Sequence, residues 1–270
     1  MMINRFLVLF TICLLGSGTS FAQQSETPSD PTQFHLFLLA GQSNMAGRGK
    51  VSSSDKKVTP RVLTLDQQDK WVAAVDPIHF DKPAITGVGL GKTFAKQYAA
   101  AHPEVTVGLI PCAVGGSPIS SWEPGGFHKS TKTNPYDTAI QRTHRAMQDG
   151  TLKGILWHQG ESDCKPELSA LYEPKLHRLI GRFRSEFDNR NLPFIAGQMG
   201  QFKERPWNAD KNRINSIHQN LPTQVKTTGF VNSDGLSHKG DKIHFDSKSY
   251  RELGQRYFAT LSMLQAEIND

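Results

Sequence analysis

Along this chain, apolar runs of strand length alternate with segments whose apolar positions recur every three or four residues. The runs are His35 to Leu39, Arg61 to Leu65, Val105 to Ile110, Gly154 to Trp157, Phe194 to Gly197 and Thr228 to Val231, each short enough to be a buried strand. Between them, Leu90, Phe94, Ala95, Tyr98 and Ala99 mark one face of a helix, as do Tyr136, Ala139, Ile140, Thr143 and Met147. Leu176, Leu179, Ile180, Phe183 and Phe187 mark a third helix, and Tyr250, Leu253, Tyr257, Phe258, Leu261 and Leu264 a last one; a weaker pattern covers Asn208 to Asn220. Parallel strands need a crossover connection and a helix supplies it, so this alternation predicts an α/β fold: a three-layer α/β/α sandwich around a mostly parallel sheet.

No repeat or low-complexity linker interrupts residues 23–270, which read as one domain after a polar lead-in over Gln23 to Thr32. The longest stretch without a period, Gly115 to Pro135, is rich in Gly, Pro, Ser and Thr, and loops of that length in a compact domain tend to be functional. Residues 1–22 read as a signal peptide: Met1 to Arg5 ends in a positive charge, Phe6 to Leu15 is a short apolar run, and Ser20-Phe21-Ala22 offers small residues for cleavage. The apolar run is about half the ~20 residues a membrane-spanning helix needs. A secreted or periplasmic protein without stable membrane insertion is therefore expected, in a compartment where Cys112 and Cys164 could form a disulfide if the fold brings them together.

Lys plus Arg number 31 against 25 Asp plus Glu, a net charge of +6 with the basic residues scattered. Without a basic stripe, nucleic acid is not an expected partner.

In open α/β sheets the chemistry lies beyond the carboxyl ends of the strands. Four such stretches are unusual: Gly41-Gln42-Ser43-Asn44-Met45-Ala46-Gly47-Arg48-Gly49, Pro111-Cys112-Ala113-Val114-Gly115-Gly116-Ser117-Pro118, His158-Gln159-Gly160-Glu161-Ser162-Asp163, and the segment from Asp234 through His238 to Asp241-Lys242-Ile243-His244-Phe245. A serine at the end of a buried strand suits a nucleophile exposed on a sharp turn, although serine in that place also caps helices. Asp241 and His244 are three apart, close enough for the carboxylate to hold one imidazole nitrogen while the other faces Ser43, which makes an acyl-transfer triad. His238, near Asp234, is a competing base or a surface-loop residue. Oxyanion donors would come from the Ser43 N–H, an N–H at Gly115 or Gly116, and the Gln159 amide, while the glycine pair also reads as an ordinary turn. His158, Glu161 and Asp163 lack metal-ligand spacing, so no metal or cofactor is expected, and the two carboxylates also read as bonding loop backbone.

Taken together, the Gly-Gln-Ser-Asn-Met start, Gly-Gly-Ser-Pro-Ile loop, His-Gln-Gly-Glu-Ser-Asp block and Asp-x-x-His-Phe end resemble the carbohydrate acetylesterases of the SGNH hydrolase superfamily. The nearest groups are carbohydrate esterase family 6 and the sialate O-acetylesterase-like proteins. The four blocks run in the family's order from Phe34 to Phe245. The resemblance implies a flavodoxin-like fold and metal-independent removal of acetyl groups from an O-acetylated carbohydrate. By position it makes Ser43 the nucleophile, His244 the base, Asp241 its partner, and Gly116 and Gln159 oxyanion donors alongside the Ser43 N–H; Gln159 stands where the wider superfamily usually has Asn. The chain lacks room for the extra domain of larger sialate esterases, which favours acetyl xylan or a related glycan. Trp122, and Trp157 less directly, are candidates for stacking on a sugar, though both also suit core packing; Arg48 is a candidate contact for an acidic substituent, or half of an ion pair. The alternatives are a lipase or thioesterase acting on longer acyl chains, and a glycan-binding protein without turnover.

Overall fold

The computed structural model describes residues 26–269; the proposed leader over residues 1–22 lies outside them. Seven strands form one sheet: β1 (Phe34–Gly41), β2 (Val62–Leu65), β3 (Trp71–Ala73), β4 (Thr106–Pro111), β5 (Thr151–His158), β6 (Phe194–Gly197) and β7 (Thr228–Val231). Their spatial order is β3-β2-β4-β1-β5-β6-β7, and every neighbouring pair is parallel except β2 with β3. Without the edge hairpin β2–β3, the five remaining strands follow the flavodoxin-like order 2-1-3-4-5. That order makes the carboxyl end of β1, between β4 and β5, the point where the chain switches direction across the sheet.

Alternate residues of β1 feed two different cores because successive side chains of a strand point to opposite faces. Phe34, Leu36, Leu38 and Ala40 join one cluster with Trp122 and the apolar faces of α3 (Pro135–Met147), α5 (Tyr172–Glu186) and α6 (Ala209–Gln224). Phe37 and Leu39 join the other, with Phe94, Ala95 and Tyr98 of α2 (Gly91–Ala101) and Tyr250, Leu253, Tyr257 and Leu261 of α7 (Ser247–Asn269). The three-layer sandwich follows directly. Two one-turn helices complete the count among the described residues, α1 (Ser43–Ala46) and α4 (Pro166–Ser169).

The six expected strands are present, most with ends shifted by one to three residues. β3 lacks a sequence signature: it is three residues long and its last two are only half-buried. The weak pattern after Asn208 is the full helix α6, whose first turn is fixed by the Asn208 side chain accepting the Lys211 N–H at 2.9 Å. Cys112 and Cys164 are free thiols, so the bridge that the sequence permitted is not made. Burial pushes both up, to about 11 and about 12 respectively.

Candidate active site

β1 ends at Gly41, and the chain turns at once. A side chain at Gly41 is excluded twice over: its φ is +125°, and a Cβ there would lie 2.3 Å from the His158 carbonyl oxygen of β5. This close approach sets Ser43 at the first position of α1. Gln42 occupies the cap position, so Ser43 is not the helix cap that its residue type also suggested.

The Ser43 hydroxyl instead meets the far end of the chain. Its Oγ lies 2.9 Å from His244 Nε2, and His244 Nδ1 lies 2.7 Å from Asp241 Oδ2. The other Asp241 oxygen accepts the backbone N–H groups of Ile243 at 3.0 Å and His244 at 2.8 Å. Burial pushes the Asp241 carboxyl up, but these N–H groups and the His244 ring outweigh it and hold the acid at about 2. His244 is anchored by its successors: Phe245 is fully buried, and the Asp246 side chain accepts the Ser249 N–H at 2.8 Å at the start of α7. His238 is not a second base, because its Nδ1 accepts the N–H groups of Gly240 and Lys242 and its nearest acid is Glu204.

A cavity of about 580 Å³ opens over these groups, lined by Gln42, Ser43, Gly116, Glu161 and His244 among others. Gly116 adopts a φ of +84°. The turn carrying it is braced from below by Asp81, whose Oδ2 accepts both the Gly115 N–H and the Arg48 guanidinium at 2.7 Å. Burial raises the Asp81 carboxyl, but the Arg48 charge prevails and lowers it. Arg48 is therefore half of a buried ion pair, and it also lines the cavity.

Gln159 also departs from the role expected of it. The residue is fully buried, and its Nε2 donates to Asp163 Oδ2 at 2.6 Å, Ser117 O at 3.1 Å and Gln42 Oε1 at 3.2 Å, while its Oε1 accepts the Tyr172 hydroxyl at 2.7 Å. No donor remains for a ligand. The free amide belongs to Gln42. Its Oε1 faces Gln159 Nε2 and the N–H groups of Gly160 and Ser162, which fixes the carbonyl end and leaves Nε2 without a protein partner among the described residues. The N–H groups of Ser43 and Gly116 are likewise unpartnered there. Sequence reasoning missed Gln42 although it adjoins the serine, because nothing in the letters says which of two glutamines has its NH₂ consumed.

Trp122 and Trp157 are both fully buried, edge to face with ring centroids 5.1 Å apart, and the Trp122 N–H donates to Ser117 Oγ at 3.0 Å. Stacking on a sugar is closed to both; they pack in the core beneath the first face of the sheet. His158, Glu161 and Asp163 diverge: His158 is 3.1 Å from the Tyr257 hydroxyl, Glu161 accepts from Asn44, and Asp163 accepts from Gln159 and the Ile119 N–H.

A hydroxyl, an imidazole and a carboxylate bonded in series at the switch point of a parallel sheet are the constellation of a carboxylic ester hydrolase. The profile of the carbohydrate esterase, sialic acid-specific acetylesterase family matches residues 33–263, and the chain belongs to that family. A probable carbohydrate esterase of Arabidopsis thaliana is 29% identical over 266 residues, covering 91% of this chain and 94% of the plant protein. The crystal structure of the plant protein shares the fold at a TM-score of 0.75 with 26% identity, covering 86% of this chain and 99% of that one. Human sialate O-acetylesterase is 26% identical over an alignment of 189 positions that covers 56% of this chain but 35% of the human protein. The crystal structure of NanS has the same fold, with a TM-score of 0.71 at 17% identity over 88% of this chain and 99% of its own.

Proposed function

We propose that the protein is an exported serine esterase that removes O-acetyl groups from a glycan through an acyl-enzyme. The 2.9 Å approach of Ser43 Oγ to His244 Nε2 carries this reading, since it joins groups 201 residues apart in a geometry ready for proton transfer. Ser43 attacks the acetyl carbonyl while His244 Nε2 takes the hydroxyl proton, and Asp241 holds the imidazole in the tautomer that leaves Nε2 free to accept. The oxyanion is held by the Ser43 and Gly116 N–H groups and by Gln42 Nε2. His244 returns the proton to the departing sugar oxygen, the C–O bond breaks, and water repeats the cycle to release acetate.

The cavity lining bears on the sugar. Lys82, Lys165, Arg205 and Lys211 all line it and, among the described residues, enter no ion pair, whereas no aromatic residue lines it. Neutral polysaccharides are gripped by ring stacking; unpaired cations favour a glycan bearing a carboxylate or sulfate. That favours an acidic sugar, such as the sialate of the human relative, over unsubstituted acetyl xylan. Export rests on the leader-like sequence of residues 1–22.

Replacing Ser43→Ala should leave the fold intact, abolish acetate release and prevent labelling by a serine-reactive phosphonate; retained turnover would refute the reading. Acetyl esters should be cleaved far faster than octanoyl esters, and acidic acetylated glycans faster than neutral ones. Preference for octanoyl would point to a lipase, and binding without acetate release to a glycan-binding protein.

A further inference from the structure

Asn44 follows the serine directly and is fully buried. Its amide makes four contacts. Oδ1 accepts the Tyr250 hydroxyl at 2.7 Å and the Phe245 N–H at 3.4 Å; Nδ2 donates to the Ile243 carbonyl at 3.1 Å and to Glu161 Oε1 at 2.6 Å. The Ile243 carbonyl and the Phe245 N–H belong to the two peptide units that flank His244. The remaining groups of those units are also held, the His244 N–H by Asp241 Oδ1 at 2.8 Å and the His244 carbonyl by the Lys239 N–H at 2.9 Å. The backbone carrying the base is thus fixed on both sides, and two of the four restraints come from the residue next to the nucleophile.

A planar amide can grip both peptide units only when its oxygen and nitrogen face the correct way. Tyr250 fixes the oxygen end and Glu161 the nitrogen end. Glu161 has no hydrogen bond to His244, and its hydrogen-bonded link to the base runs through Asn44. Its second oxygen is buried with no partner. One carboxylate oxygen buried without a partner carries a cost, which the contact of the other oxygen with Asn44 offsets.

We propose that Asn44 is a positioning residue that holds His244 at hydrogen-bond distance from Ser43, and that Glu161 fixes the orientation of its amide. The inference rests on the reading of Ser43 and His244 as nucleophile and base. Misplacing a reacting group by about 1 Å costs on the order of 100-fold in rate. The replacement Asn44→Asp keeps size and the acceptor for Tyr250 and Phe245, removes the donor to Ile243, and sets two carboxylates face to face. It should lower kcat by about 100-fold with KM within about threefold, and slow phosphonate labelling of Ser43 in parallel. Glu161→Gln keeps an acceptor and should cost about tenfold or less. In the double variant Asn44→Asp/Glu161→Gln the new amide at position 161 donates to the new carboxylate at 44, restoring that contact with its polarity reversed. Measured well below the melting range of each variant, its kcat should recover about tenfold over Asn44→Asp, a rescue that lost stability alone would not give.

Should Asn44→Asp fail to fold, Glu161→Ala, at a partly exposed position, carries the test on a small neutral aryl acetate, for which kcat should fall about tenfold with KM within about threefold. An Asn44→Asp protein with kcat within threefold of the parent, a loss confined to KM, or a double variant no faster than the single one would overturn the proposal. Activity retained in Ser43→Ala would instead refute the underlying reading, so the two failures are distinguishable.

Discussion

Truncating Gln42→Ala separates the two glutamines of the site. Gln42 Nε2 is the amide donor without a protein partner beside Ser43, whereas every donor of Gln159 is spent internally. Removing one oxyanion donor costs about 2.7 to 4 kcal/mol of transition-state stabilisation, which is roughly 10² to 10³ in kcat. The same change removes the acceptor for Gln159 Nε2 at 3.2 Å and the Ser162 N–H at 3.3 Å. Leaving buried donors unsatisfied costs about 1 to 3 kcal/mol of stability, or a fall of roughly 2 to 4 °C in Tm per kcal/mol for a domain of this size. Initial rates on an aryl acetate, measured well below the melting range, isolate the kinetic term because the folded fraction stays near unity. Gln42→Ala should lose kcat with little change in KM, while Gln159→Ala should lose mainly Tm. A Gln42→Ala enzyme within about threefold of the parent kcat, or a Gln159→Ala enzyme that loses the full factor without losing Tm, would refute the assignment of the amide donor.

Asp241→Asn should retain the backbone contacts of the loop but deprive the imidazole of its acceptor, cutting kcat by about 10⁴ and lowering Tm at neutral pH through loss of the ionised carboxylate; steady-state rates and a thermal melt check both. Burial holds Asp76 at about 7 and Asp163 at about 6, above the ordinary carboxylate range. The folded state therefore binds more protons than the unfolded chain between pH ~4 and ~7, and stability should fall as pH rises through that window. Asp241, held at about 2, acts oppositely: its contribution is complete above pH ~4 and lost as pH falls toward 2. Urea melts from pH 3 to 8 of the parent and of Asp163→Asn, which should flatten the upper slope, test this. Trp122→Ala should cost about 3 to 5 kcal/mol of stability by opening a cavity under the site; a raised KM for glycan at unchanged Tm would revive the stacking role.

How legible the fold was depended on how local the determinants are. β6 was readable to the residue because a strand buried on both faces is an uninterrupted apolar word. β3 was not, since Trp71, Val72 and Ala73 acquire strand geometry only by pairing with β2. Asp241 and His244 were legible because three residues of spacing already fix their contact. The approach of Ser43 to His244 depends on the whole sheet, and only the order of the motifs hinted at it. Trp122 misled because an aromatic residue in a Gly- and Pro-rich loop looks like a platform; the loop folds inward and spends the ring on Trp157. Asp81, which braces the Gly115–Gly116 turn across 34 residues, carried no signal in its own neighbourhood.

The imidazole is mounted three residues ahead of α7, whose Tyr250, Leu253, Tyr257 and Leu261 are keyed into the second core. The serine hangs instead from the central strand, so the two halves of the chemistry stand on different elements, joined through Asn44 and the core that β1 shares with α7. Fraying the C-terminal helix should therefore silence the enzyme while the sheet still stands, leaving a hydroxyl correctly set but with nothing to take its proton.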